Sequence, residues 1–242
     1  FWDGRATGHT LNDPLAEQAQ GPPLNPVEMA MADKAAVVEA VRASDYVDLF
    51  LSVFGEDALD DVDAAYDDIA MAVAAFERSH LVQRFNSRFD RGRLTATEQN
   101  GRELFGANCA ACHPDTPLGG TGAVLFTTYG YANIGLPANP LLTGNLIDYG
   151  LGGFLGSNHQ DFEAQKGKFK IPTLRNVAAT PPYGHNGVFP TLTEMVAHLN
   201  DRTAIPEVDQ NISDQVGEMG LEENQIADIV AFLRSLSDTN RP

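Results

Sequence analysis

The chain is short of three things, and each shortage narrows its chemistry. It has two cysteines in 242 residues, Cys109 and Cys112. Two thiols cannot build a disulfide framework or a four-cysteine zinc centre. It has 16 basic residues against 33 acidic ones, a net charge of −17. A surface of that sign repels phosphate backbones and anionic lipid heads, which excludes generic nucleic-acid binding and electrostatic docking on membranes. It also has no long hydrophobic run. The stretch from Ala70 to Phe76 is far below the ~20 residues that cross a bilayer, so no membrane insertion is expected. The chain opens Phe1-Trp2-Asp3-Gly4-Arg5, without the charged and then apolar leader of an export signal, so an exported form is expected to be a processed one. What is plentiful is apolar side chain, 43% of the total, enough for a core in one large or two small domains. The acidity suits a redox or other protein partner with a basic surface.

Both cysteines fall in Cys109-Ala110-Ala111-Cys112-His113. A bare pair with this spacing reads equally as a thiol redox couple. The histidine that follows makes the pattern the attachment signature of c-type haem. Two thiols one helical turn apart can reach the two vinyl groups on one edge of a porphyrin, and the next side chain then brings an imidazole to the iron. The flanks fit. Thr95-Ala96-Thr97-Glu98 reads as a helix-starting capping box, and Leu104 and Phe105 lie on an apolar face leading into the cysteines. Near the C-terminus Ile226, Ile229, Val230, Phe232 and Leu233 form one stripe of a helix over 222–236. A helix before the motif and a C-terminal helix across it is the class I cytochrome c plan. The expected fold class is all-α, with a cytochrome c-like haem domain over 94–242 and an irregular and helical segment over 1–93.

The remaining pattern fills in this division. Residues 1–27, with prolines at 14, 22, 23 and 26, read as irregular. Helical spacing predicts helices over 28–44, 45–54 and 61–80, the last with Ile69, Val73 and Phe76 turned inward. A further helix is expected over 191–199, after Pro190. Between 114 and 190 glycine and proline are dense and helical period is weak. So long a loop region needs something to wrap, and a haem offers a large apolar surface.

Several segments, in order along the whole chain, resemble the bacterial di-haem cytochrome c peroxidase and MauG family. They are Phe1-Trp2-Asp3-Gly4-Arg5-Ala6, Glu17-Gln18-Ala19, Asn25-Pro26-Val27-Glu28-Met29, Asn133-Ile134-Gly135-Leu136-Pro137, the run from Phe169 to Asn176, and the run from Thr180 to Gly187. The resemblance implies two cytochrome domains, the first with a peroxidatic haem and the second with an electron-donating one. The single motif at Cys109 and Cys112 matches the second. It implies one covalent haem c with His113 as proximal iron ligand. Trp2 matches the tryptophan between the family's two haems. Gln18 and Glu28 match polar residues of its peroxide pocket, where a carboxylate does acid–base work. Arg175 and His185 match partners of the haem propionates. Thr180 and Pro182 match carbonyl donors of a calcium site. The expected function is a periplasmic mono-haem cytochrome in electron transfer. The alternatives are the C-terminal part of a di-haem peroxidase, or a single-haem peroxidase with an open distal site.

The sixth iron ligand is the point of departure from the family. Where the resemblance calls for a donor, Met or Tyr, this chain has Leu199. At about 100° per residue, Leu192, Met195, Val196 and Leu199 share one face of the 191–199 helix, and His198 points about 100° away from Leu199. Met195, His198 and Met219 are the candidate donors. His159 and Lys168 lie in the loop region, and a five-coordinate iron is the remaining option.

Overall fold

The computed structural model describes residues 1–239 apart from 118, 120, 121, 145 and 146. The chain forms two compact units, one of Phe1 and Ala6–Arg84, the other of Trp2–Arg5 and Phe85–Pro242.

The first unit holds five helices: α1 Pro14–Ala19, α2 Gly21–Leu24, α3 Lys34–Arg42, α4 Val47–Phe54 and α5 Val62–Glu77. Aspartates start three of them. Asp13, Asp33 and Asp61 each accept from backbone N–H groups of the first turn, which would otherwise lack partners. Two short helices replace the irregular stretch expected before residue 28. Pro14, Pro22 and Pro23 sit in first turns, where a missing N–H costs nothing. The next helix begins at Lys34 rather than Glu28, because residues 28 and 30 turn back onto the Asn25 carbonyl. The inward face of α5 also differs in part from the expected one, of which Ile69 alone packs on a buried cluster. It is Ala65, Tyr66, Ala70 and Ala74, while Val73 and Phe76 are 39% and 58% exposed. Ala16 of α1 packs on Ala70 and Ala74, and a contact made of methyl groups leaves no room for larger side chains. The Arg78 guanidinium forks onto Asp13 at 2.7 and 2.6 Å, tying the end of α5 to the start of α1.

The second unit contains α6 Ala96–Asn108, α7 Leu151–Leu155, α8 Phe162–Gln165, α9 Leu192–Asn200 and α10 Glu223–Ser235. Thr95 and Glu98 form the reciprocal capping box at the start of α6, and Thr191 and Glu194 form a second one on α9. The helices are as cytochrome c-like as expected, but the unit is not purely helical. Tyr131–Ala132 and Phe169–Lys170 pair as a two-stranded antiparallel ladder, β1 and β2. Long irregular segments join the elements. Helices α6 and α10 cross, and Phe105, Phe126, Ile229 and Phe232 are almost wholly buried around that crossing. The rings of Phe89, Phe105, Phe126 and Phe232 meet mostly edge to face, with centroids 5.0–6.1 Å apart. Among the described residues no helix is long and apolar enough to cross a membrane.

The crossing depends on one residue. A Cβ on Gly101 of α6 would run into the Asp228 carbonyl oxygen of α10. The obstacle is backbone, so a side chain cannot be accommodated by a rotamer change. Gly101→Ala is expected to cost about 1–3 kcal/mol or more by forcing the helices apart. Urea denaturation of the variant beside the parent chain measures it; an unchanged midpoint would mean that the helices do not touch there.

Candidate haem site

Helix α6 ends at Asn108, and Cys109 is its C-cap, its N–H donating to the Phe105 carbonyl at 2.7 Å. The N–H groups of Cys112 and His113 both return to the Cys109 carbonyl, at 3.2 and 2.9 Å. This turn folds both thiols and the imidazole onto one wall of a cavity of about 290 Å³. The other walls come from Phe169 to Arg175, from Tyr183 to His185, and from α9. Among the described residues no aspartate or glutamate lines it, in a chain with 33 of them.

The protonation pattern on the motif wall follows from its contacts. His113 Nδ1 lies 2.7 Å from the Phe126 carbonyl oxygen. A carbonyl can only accept, so Nδ1 carries the proton and Nε2 carries the lone pair. Burial holds the imidazole below its usual pKa, against the pull of the Phe126 and Pro172 backbone, so the ring is neutral near pH 7. Burial, with a small contribution from Cys112, pushes the Cys109 thiol up to about 12, and burial raises Cys112 as well. A thiol redox pair needs the opposite, a stabilised thiolate, commonly at a helix N-terminus. These cysteines follow a helix C-terminus, whose dipole disfavours negative charge.

Phe126 was not legible in the sequence. Its backbone is left-handed, φ +53°, a conformation that costs a non-glycine residue about 1–3 kcal/mol. Its ring is fully buried in the phenylalanine cluster while its carbonyl faces His113. No glycine or turn signature marks the position.

The other sequence candidates divide by location. Leu192, Met195, Val196 and Leu199 all line the cavity from α9, and Met219 lines it too. His198 does not. It is buried, with Nε2 3.2 Å from the Ile134 carbonyl and its ring 5.0 Å from that of Phe189. His159 and Lys168 are not among the lining residues either. Trp2, Thr180 and Pro182 are on the cavity wall. Gln18 and Glu28 belong to the N-terminal unit. Gln18 accepts from the amino terminus at 2.6 Å, and Glu28 is exposed. His185 stacks on Phe169, centroids 3.5 Å apart. Burial pushes it down to about 4, against Asp148, and its buried Nε2 lacks a partner among the described residues. Arg175 lines the cavity, but its charge is already met. The guanidinium forks onto Asp90 at 2.7 and 2.8 Å, with Nε on the Val124 carbonyl at 2.6 Å. Asp90 is the residue missed here; it stands inside an otherwise basic stretch, 84–93.

Residues 1–99 match the family model described as di-haem cytochrome c peroxidase, and residues 98–237 match that of cytochrome c. The chain is 37% identical to the methylamine utilization protein MauG of Paracoccus denitrificans, over 98% of this chain and 67% of that protein. It is 33% identical to the cytochrome c peroxidase Ccp of Escherichia coli, over 100% of this chain and 45% of that one. The chain belongs to the di-haem cytochrome c peroxidase and MauG family. Among solved structures, the di-haem peroxidase BthA from Burkholderia thailandensis superimposes with a TM-score of 0.81 at 27% identity, over 99% of this chain and 66% of that one. The chain therefore spans from under half to about two thirds of the length of these family members.

A cytochrome c domain carries covalently attached haem, and the donor set fits one. Two neutral thiols and an imidazole protonated on Nδ1 share one wall of a largely apolar cavity that, among the described residues, no acid lines.

The Arg175–Asp90 pair offers a test of this wall. Both side chains are largely buried, at 8% and 16% exposure. Burial alone would raise the Asp90 carboxyl, but the bonds from Arg175 and Ser87 outweigh it and hold it below the usual aspartate range. A depressed carboxylate pKa stabilises the fold above the unfolded value, and that stability is lost as pH falls below about 4. Asp90→Asn leaves a buried guanidinium unpaired and is expected to cost about 3 kcal/mol at pH 7. The difference from the parent chain should shrink as the pH is lowered; denaturation midpoints at pH 7 and pH 3.5 check both statements.

Proposed function

We propose that the haem domain of this chain is an electron-transfer centre holding one haem c, through thioethers to Cys109 and Cys112 and through His113 Nε2 on the iron. The observation that carries this reading is the make-up of the walls. The motif wall supplies two thiols and a neutral imidazole with a fixed tautomer. The α9 wall supplies Leu192, Met195, Val196 and Leu199, none of which can give or take a proton from a bound peroxide. Bound there, haem c supplies a one-electron ferric–ferrous couple. The protein's part is to exclude water with apolar walls, hold the imidazole by its Nδ1–H, and keep negative side chains away. Because haem attachment of this type is carried out outside the cytoplasm, the working compartment is the periplasm. A net charge of −17 suits a redox partner with a basic surface.

A second reading has its own support. Residues 1–99 match the di-haem peroxidase family model, and Gln18 and Glu28 are the residues that resemble its peroxide pocket. In that reading the same haem domain feeds electrons to a second haem in a longer peroxidase. Intact mass and pyridine haemochrome on the natural full-length protein separate the two: one haem per chain supports the carrier, two haems with peroxide turnover the peroxidase. No covalent haem, after expression with attachment machinery, would refute both.

Two further outcomes are expected. Electron transfer to a cationic partner should slow as salt is added, because exposed charges are screened within about 10 Å at 0.1 M. A rate independent of ionic strength would leave the acidity a role in solubility only. In the ferric spectrum a low-spin iron is expected, with a thioether as sixth ligand. Met195→Ala or Met219→Ala should convert it to high spin, and His198→Ala should not, since that imidazole is turned to the Ile134 carbonyl. A high-spin parent protein would show an open site instead.

A further inference from the structure

Three consecutive carbonyls of one segment each accept a hydrogen bond from a different side chain. Val124 accepts from Arg175 Nε at 2.6 Å, Leu125 from Thr173 Oγ1 at 2.6 Å, and Phe126 from His113 Nδ1 at 2.7 Å. The exchange runs both ways, since Thr127 Oγ1 donates to the Ile171 carbonyl at 2.6 Å. The Thr128 N–H also returns to the Cys112 carbonyl at 3.1 Å. Arg175 is in turn held by the Asp90 fork, and its guanidinium carbon lies 5.0–5.6 Å from the ring centres of Phe85, Phe89 and Phe126.

This arrangement has a directional consequence. A backbone segment whose third carbonyl is strained into a left-handed turn does not hold that orientation unaided. Here the two preceding peptides are pinned by Arg175 and Thr173, and the following residue by Thr127. The Phe126 oxygen is thereby left pointing at His113 with little freedom to swing. We infer that Thr173 and Arg175, with Asp90 behind it, are positioning residues for the proximal imidazole, acting through the 124–126 backbone. The resemblance alone casts Arg175 as a propionate partner, but four of the bonds it makes here go to protein atoms, on Asp90, Val124 and Ser87.

The inference rests on the reading of His113 as an iron ligand, and it predicts an electronic effect. A firm acceptor on Nδ1–H makes the imidazole a stronger donor to the metal and favours the ferric state. Loosening the acceptor should therefore raise the midpoint potential. Thr173→Val removes one pin with no change of charge or size, and Thr173→Ser keeps it. The double variant Asp90→Asn with Arg175→Gln removes the second pin and takes away equal and opposite charges.

The experiment is redox titration of the haem-loaded protein, with NMR exchange of the His113 Nδ1 proton alongside. Thr173→Val and the double variant are expected to shift the potential upward and to exchange the proton several-fold faster, with Thr173→Ser returning both to the parent values. Parent values in Thr173→Val and the double variant, with haem attached, would overturn the positioning role and leave the haem assignment standing. A downward shift in the double variant would also overturn it, showing that the Arg175 charge acts on the haem directly. Absence of covalent haem in the parent protein would instead defeat the underlying reading.

Discussion

The near-contact of two helix backbones at Gly101 is the constraint on which the haem unit is built. Because α10 can come that close, its stripe of Ile229, Val230, Phe232 and Leu233 packs with Phe105 of α6 in one buried cluster. That buried cluster fixes the end of α6, and the end of α6 is where Cys109 begins the haem motif. The cluster also takes in the ring of Phe126, so the residue whose carbonyl orients His113 is anchored by the same hydrophobic contacts. Core and ligand geometry thus share their anchor points, and a packing defect at the helix crossing propagates to the imidazole.

Charge is distributed with a comparable economy. Between residues 43 and 77 there are ten acidic side chains and no lysine or arginine. The cavity, by contrast, has no acid among the described residues that line it, and the guanidinium on its wall is neutralised by Asp90. Charge on the surface and charge at the cavity are thereby set by different residues. The surface can be strongly negative while the cavity wall carries few and compensated charges.

Much of this was readable in the sequence because it rests on local rules. The Thr95–Glu98 cap and the α10 stripe each follow from spacing and fall where spacing put them, and the two thiols and imidazole of the motif line one cavity. So does the shared face of Leu192, Met195, Val196 and Leu199. What escaped is what depends on distant partners. The inward face of α5 is alanine-rich because α1 lies against it, which periodicity of large side chains cannot reveal. The ladder of β1 and β2 is two residues long on each side, too short to alternate visibly. The left-handed Phe126 carries no sequence mark at all. Asp90 stands in a basic stretch, and the partner that holds it, Arg175, is 85 residues away.

The haem unit is also discontinuous along the chain. Trp2–Arg5 belongs to it, although the next eighty or so residues form the other unit before the chain returns at Phe85. The attachment is specific: the Lys170 N–H donates to the Trp2 carbonyl at 2.8 Å, and a Cβ on Gly4, at φ +82°, would run into the Tyr131 hydroxyl. Trp2 also forms part of the cavity wall. The cytochrome portion therefore cannot be cut out as a contiguous cassette. A gene fragment starting near residue 85 would encode Cys109, Cys112 and His113 and still lack Trp2, a part of the pocket wall. Truncation between the units would thus keep the haem motif and remove the Trp2–Arg5 contacts beside it.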